Sequence, residues 1–183
     1  MWYENTGSIL SGGWTARNIA PSFDQVAVAK SSDINHDGRI DIILSPSEAV
    51  GRVRWFECPQ DPKTQPWNEH ILGDQMNSIH GLGIADFDGD GDADIAASEF
   101  RGSQRLIIFK NNNYSGTKWS SQILGTQALH NIVVEDFDSD GDYDIFGSYC
   151  WNTPPAYLWI NGSHDQQKYK FFLVPIYQLL LKK

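Results

Sequence analysis

One nine-residue pattern occurs three times in this chain and restricts its fold more than any other feature. It reads Asp33-Ile-Asn-His-Asp-Gly-Arg-Ile-Asp41, then Asp86-Phe-Asp-Gly-Asp-Gly-Asp-Ala-Asp94, then Asp136-Phe-Asp-Ser-Asp-Gly-Asp-Tyr-Asp144, each copy followed by Ile. The copies start 53 and 50 residues apart. Their flanks repeat in register. Gln25-Val-Ala-Val-Ala, His80-Gly-Leu-Gly-Ile-Ala and His130-Asn-Ile-Val-Val-Glu lie upstream, and Ile42-Ile-Leu-Ser, Ile95-Ala-Ala-Ser and Ile145-Phe-Gly-Ser lie downstream. Further on come Arg52-Val-Arg-Trp-Phe-Glu, Arg105-Leu-Ile-Ile-Phe-Lys and Tyr157-Leu-Trp-Ile-Asn, then Trp67-Asn-Glu-His-Ile-Leu, Trp119-Ser-Ser-Gln-Ile-Leu and Tyr169-Lys-Phe-Phe-Leu-Val. A fixed period of this kind is the mark of a repeat architecture.

Each repeat therefore holds four short runs rich in Val, Ile, Trp and Phe, separated by turn residues. Such runs read as strands. Four short strands per repeat of this length point to an all-β chain built of β-propeller blades, each a sheet of four antiparallel strands. No segment before the tail sustains a helical period over three turns. The strands are called a to d in chain order, with the acidic loop between a and b. Blades are then expected over 24–73, 79–125 and 129–175, with 176–183 a tail outside the repeat. Residues 1–20 read as the c–d hairpin of a further blade, because Trp2-Tyr3-Glu4-Asn5 matches strand c and Trp14 to Ile19 matches strand d. Three and a half blades leave an open arc, and exposed sheet sides are normally covered. The expectation is closure by oligomerisation, a homo-oligomer completing the ring, or membership of a longer protein.

The acidic loops carry the clearest chemistry. Ca²⁺ takes six to eight hard oxygen ligands at about 2.3–2.6 Å. A short loop meets that demand when carboxylates recur on alternate residues and the backbone turns sharply. The expected side-chain ligands are Asp33, Asn35, Asp37 and Asp41, then Asp86, Asp88, Asp90 and Asp94, then Asp136, Asp138, Asp140 and Asp144. Gly38, Gly91 and Gly141 stand at position six, where the turn needs a left-handed backbone. The carbonyls of Arg39, Asp92 and Asp142 at position seven complete each set. An EF-hand would place Glu at position 12, where this chain has Leu44, Ala97 and Gly147. Three Ca²⁺ sites are thus expected, with the ion structural. The first is the weakest, since Asn35 replaces a carboxylate.

Charge agrees. The net charge is −9, and 13 of the 23 Asp and Glu residues fall within the three loops. Three Ca²⁺ ions would bring the net to about −3. An acidic chain is a poor partner for nucleic acid or an anionic membrane. No apolar run is long enough to span a bilayer. The N-terminus shows no basic and apolar leader pattern. Cys58 and Cys150 fall at different places in different repeats, which favours two thiols over a disulfide.

The loops and their flanks resemble the FG-GAP/VCBS repeat family of calcium-loop propellers, which includes integrin α-subunit heads and many secreted bacterial proteins. The resemblance implies Ca²⁺ in the a–b turns and an extracellular or periplasmic setting. It implies no single activity, because the family includes adhesion modules, lectin-like domains and polysaccharide lyases. The Trp-x-x-His-Ile and His-Gly elements look most like propellers associated with carbohydrate-active enzymes.

A ligand face is expected at the end of strand a opposite the loops. His80 and His130 open strand a in two repeats, with Asp24 near that place in the first. The b–c turns add Glu48, Glu99, Arg101, Tyr149 and Trp151. Such a funnel suits a glycan, since aromatics stack on sugar rings and Arg or His pairs with uronate carboxylates. The competing reading makes the repeated His structural, hydrogen-bonding a neighbouring blade. His70 on strand d is expected to be a packing residue, and His36 a variable loop position. The function expected is a calcium-stabilised module binding glycan or protein. The alternative is part of a polysaccharide-lyase-type enzyme, which would need a base and a carboxylate neutraliser.

Overall fold

The computed structural model describes residues 1–10, 12–19, 26–149, 156–162 and 171–175. Asp24, Cys150, Trp151 and the tail 176–183 lie outside the described residues. Every element described is a β-strand, and all pair antiparallel. The first two, β1 (Trp2–Asn5) and β2 (Trp14–Arg17), form a hairpin in the register Trp2 to Arg17. Three four-stranded meanders follow. Sheet I runs β3 (Val26–Ser32), β4 (Asp41–Pro46), β5 (Val50–Glu57) and β6 (Asn68–Asn77). Sheet II runs β7 (Ile79–Ala85), β8 (Asp94–Glu99), β9 (Leu106–Asn111) and β10 (Trp119–Gly125). Sheet III runs β11 (Asn131–Glu135), β12 (Asp144–Ser148), β13 (Tyr157–Asn161) and β14 (Phe171–Pro175).

Strand order equals chain order in each sheet. Each connection therefore spans only neighbouring strands and needs only a short loop. The first strands, β3, β7 and β11, lie side by side, β7 between the other two. Each nine-residue acidic motif links the first strand of its sheet to the second. All three loops accordingly lie at the same end of their sheets.

Packing between sheets explains the composition of the strands. Side chains alternate faces along a strand. In sheet II, Ile95, Ala97, Ile107 and Phe109 pack against Ile43, Val53 and Trp55 of sheet I. The alternate residues Ala96, Leu106 and Ile108 pack against Ile132, Ile145 and Trp159 of sheet III. Sheet II is covered on both faces, so β8 is buried at every position. Its apolar run is continuous for that reason rather than alternating with polar residues. Each fully buried Ile or Leu contributes about 1.5–3 kcal/mol, so these two interfaces hold the arc together.

The amino-terminal hairpin is tied on by charge. The guanidinium of Arg17 donates to Glu4 Oε2 at 2.9 and 2.6 Å and to the carbonyl of Lys63 at 3.0 Å. Lys63 also forms an ion pair with Glu4. Trp55 of sheet I stacks on His70, ring centroids 4.0 Å apart. His70 is thus the packing residue its position on an outer strand suggested. Cys58 is a buried free thiol.

Gly116, in the turn between β9 and β10, bears on Trp55 of the neighbouring sheet. Its φ is +63°, and an added Cβ would lie 2.8 Å from the Trp55 ring. Its carbonyl accepts the indole N–H of Trp119 at 2.7 Å. Gly116→Ala combines left-handed strain with overpacking of an aromatic ring. We expect it to lower stability by about 2 kcal/mol in urea unfolding. An unchanged midpoint would mean that this turn does not bear on sheet I.

Candidate metal loops and the opposite rim

The three loops share one hydrogen-bond scheme. The Asp at position one accepts the N–H groups of positions five and six. Its partners are Asp37 and Gly38 on Asp33 at 3.1 and 2.9 Å, Asp90 and Gly91 on Asp86 at 3.2 and 2.8 Å, and Asp140 and Gly141 on Asp136 at 3.2 and 3.0 Å. The Asp at position five accepts the N–H of position seven at 2.9 Å in every copy. Position six is left-handed throughout, with φ of 83°, 91° and 97° at Gly38, Gly91 and Gly141. Position four is left-handed too, at His36, Gly89 and Ser139.

The Asp at position nine does more than its place in the motif disclosed. Asp41, Asp94 and Asp144 are all fully buried. In each, Oδ2 accepts the N–H of position two: Ile34 at 3.1 Å, Phe87 at 3.0 Å and Phe137 at 2.8 Å. Oδ1 accepts an N–H at the end of the third strand: Cys58 at 2.8 Å, Asn111 at 2.8 Å and Asn161 at 2.7 Å. One carboxylate thus closes the loop and fastens it to its sheet. Burial raises the pKa of Asp41 and Asp144, and that of Asp94 to about 7, against the lowering effect of those N–H groups.

Two loops gather carboxylates. Asp86, Asp88 and Asp94 each bring an oxygen within 4.8 Å of the others, as do Asp136, Asp138 and Asp144. Two oxygens on one Ca²⁺ stand at most about 5 Å apart, twice the bond length, so both clusters fit the ion. Asp88 Oδ1 is buried with no hydrogen-bond partner, while Lys110 approaches the other oxygen only to 3.7 Å. Burial and the charge of Asp90 push the Asp88 carboxyl up, and burial and Asp140 do the same to Asp138. A cation would relieve both.

The first loop differs. Its Asp37 is in an ion pair with Arg39 and accepts from Asn35 Nδ2 at 3.1 Å. Asn35 also donates to Glu57 at 3.2 Å. The Arg39 guanidinium thus already neutralises one of the expected ligands. The side chains of Asp92 and Asp142 at position seven are buried. Asp92 Oδ1 lies 3.4 Å from Nε2 of His36 in the neighbouring loop, whose ring also meets Tyr114 edge-on. His36 is therefore an inter-loop contact. Nothing in its loop alone signalled this, because its partners are 56 and 78 residues away.

At the opposite end, the structure gathers most of the expected ligand face. His80 Nδ1 and His130 Nε2 are 2.9 Å apart, and His80 Nε2 lies 3.1 Å from the carbonyl of Ser47. Asn131 Nδ2 lies 3.2 Å from His130 Nδ1. The scheme closes with both rings neutral: Asn131 donates to His130, His130 to His80, and His80 to Ser47. The His residues thus link all three sheets, and burial, then repulsion between the two imidazoles when both carry a proton, lowers the His130 pKa. Glu48 sits 3.4 Å from His80 and 3.1 Å from Arg101. Phe100, which sequence reading missed, stacks on Tyr149 at 5.2 Å and touches both His rings. Its flanking Glu99 and Arg101 were the visible signal.

Glu99 does not join this group. It is buried and held by Arg105 at 2.7 and 2.9 Å and by the N–H of Asn77 at 2.8 Å. Burial opposes its ionisation, but Arg105 and the backbone donors outweigh that and hold its carboxyl below the usual range. Glu99 fastens the β8–β9 turn instead of facing a ligand.

Four-stranded meanders with aligned first strands and one acidic turn per sheet define a β-propeller repeat protein. Residues 33–97 match the family model described as FG-GAP-like repeat, from the first acidic loop through the second to β8. The match is consistent with the FG-GAP/VCBS resemblance of its loops. No curated protein matches the chain. Among the described residues no helix is long and apolar enough to cross a membrane.

The position-nine carboxylates can be separated from the metal question. Asp144→Ala removes the acceptor of two N–H groups, so we expect it to cost about 3 kcal/mol even in chelator. Asp138→Asn should leave the chelated protein as stable as before or more so, because it only removes repulsion. Equal losses in urea titrations of the two variants would contradict this division.

Proposed function

We propose that this protein is a calcium-binding β-propeller repeat module. The Ca²⁺ is structural, held in the loops between first and second strands, and the opposite rim recognises a glycan or protein. The observation that carries the reading is the convergence of Asp86, Asp88 and Asp94, repeated by Asp136, Asp138 and Asp144. The third ion falls to the first loop, with Asp33, Asn35, Asp37 and Asp41, and binds most weakly because Arg39 competes for Asp37. Such modules usually work outside the cell, where Ca²⁺ is abundant, and we assign this one there. We further propose that the arc of sheets is closed by a second copy or by further repeats.

Recognition fits the rim better than catalysis. Each ring nitrogen of His80 and His130 has an intramolecular partner, so neither imidazole is poised as a base for lyase chemistry. Arg101 is exposed beside the Phe100–Tyr149 stack, which suits an acidic sugar. Arg101→Ala should abolish uronate binding on a glycan array while leaving calcium-dependent stability intact. An unsaturated ultraviolet-absorbing product released from uronate polymers would instead establish the lyase alternative.

Calcium itself is tested by heat. Saturating Ca²⁺ should raise the Tm of chelator-treated protein by at least about 10 °C, as expected when binding stabilises only the folded state. No shift would sink the structural-metal reading. The pH dependence has a definite sign. In the metal-free fold Asp94 is raised from 3.8 to about 7, so its proton stabilises the fold at low pH and that contribution is lost as pH rises through about 7. His130, lowered from 6.5, acts oppositely and mostly below that value. Between pH 6.5 and 8 the chelated protein should therefore lose Tm, and the calcium-loaded protein should not. A rise in the chelated Tm over that interval would contradict the assignment.

A further inference from the structure

Asn111 and Asn161 join the metal loops of adjacent sheets. The N–H of Asn161 donates to Asp144 of the third loop at 2.7 Å, and its side-chain Nδ2 donates to the carbonyl of Phe87 at 2.8 Å. Phe87 stands between Asp86 and Asp88 in the second loop. Asn111 repeats the arrangement one sheet earlier. Its N–H donates to Asp94 of the second loop at 2.8 Å, and its Nδ2 donates to the carbonyl of Ile34 at 3.2 Å. Ile34 stands between Asp33 and Asn35 in the first loop. Both Asn residues are fully buried, so water cannot replace these bonds. At the same register in sheet I stands Cys58, whose N–H donates to Asp41 but whose thiol makes no such bridge, lying 3.6 Å from the carbonyl of its neighbour Pro59.

From this geometry we infer that the calcium loops are coupled in series, third to second to first, with Asn161 and Asn111 as the positioning residues. The inference rests on the calcium reading above. Loading the second loop fixes Asp94, and with it the backbone of Asn111. The Asn111 amide then holds Ile34, and so the two ligands beside it, in the bound conformation. The first loop loses less freedom when it binds, which raises its affinity. Linkage makes the effect reciprocal. The His36–Asp92 contact runs between the same two loops and adds to the link. The first loop is the one whose ligands are already partly engaged by Arg39, so it depends most on this help. The series ends there, because Cys58 carries no amide to pass it on.

The test reads each loop separately. The N–H groups of Gly38, Gly91 and Gly141 lie inside their own loops, on Asp33, Asp86 and Asp136. Their ¹⁵N-resolved NMR shifts during Ca²⁺ titration give one midpoint per loop. Asp88→Asn disables the second loop while leaving Asp94 and its hydrogen bonds to Phe87 and Asn111 in place; it loosens only the 3.7 Å ion pair with Lys110. It should move the Gly38 midpoint to about fivefold higher Ca²⁺ or more. Asn111→Ala should do the same with the second loop intact, and the double variant should do no more than either single one. The pair Asp138→Asn and Asn161→Ala, read at Gly91, repeats the test and keeps it decisive if one Asn variant does not fold. A Gly38 midpoint unchanged by Asp88→Asn, or single effects that multiply in the double variant, overturns the coupling and leaves calcium binding standing. No calcium-dependent shift at any of the three glycines overturns both.

Discussion

Much of this structure depends on one buried carboxylate per sheet. The last Asp of each loop, Asp41, Asp94 or Asp144, gives one oxygen to the loop and the other to the end of the third strand. A buried carboxylate is costly unless charge-assisted hydrogen bonds satisfy it. Two backbone donors offset part of that cost in every copy, and burial still raises the carboxyl pKa. The loop is therefore no appendage: it is stitched to the strand beside it, and metal bound by the same carboxylate would act directly on the sheet.

The same economy operates between sheets. Apolar packing supplies most of the attraction, through the two-sided burial of sheet II. Packing alone fixes neither register nor the height of one sheet against the next. Polar bridges add that at both ends. Asn111 and Asn161 span neighbouring sheets at the loop end, and the His80–His130 pair with Ser47 spans all three at the other. Ser45 and Ser98 add smaller bridges of the same kind, each donating to a carbonyl of the next sheet. Buried donors with a single available acceptor tolerate little displacement, so these contacts specify the geometry that hydrophobic burial stabilises.

The two ends have different characters for electrostatic reasons. At the loop end, like charges crowd together and burial raises several carboxyl pKa values. At the rim, charges are already matched: Glu99 with Arg105, and Glu48 with Arg101. What the rim leaves accessible is the edge of an aromatic stack beside the exposed Arg101–Glu48 ion pair. An anion approaching Arg101 there would have to compete with Glu48.

The sequence by itself determined the all-β class, the four-strand repeat, the acidic turns and the left-handed glycine at position six. Those features are local, since each follows from residue type at a fixed spacing along a few neighbouring residues. Only the tertiary structure decided what a residue meets from another repeat. It turned Glu99 inward to Arg105, gave His36 a partner in the next loop, set Phe100 against both His rings, and made bridges of Asn111 and Asn161. The recurrence of Asn exactly 17 residues after Asp94 and Asp144 was legible in the chain, but its meaning was not. An amide's hydrogen bond reveals its purpose only when the acceptor is known, and here the acceptors lie 77 and 74 residues earlier. The acidic loops with which the sequence began remain the most telling feature, now as parts of one connected framework rather than three separate turns.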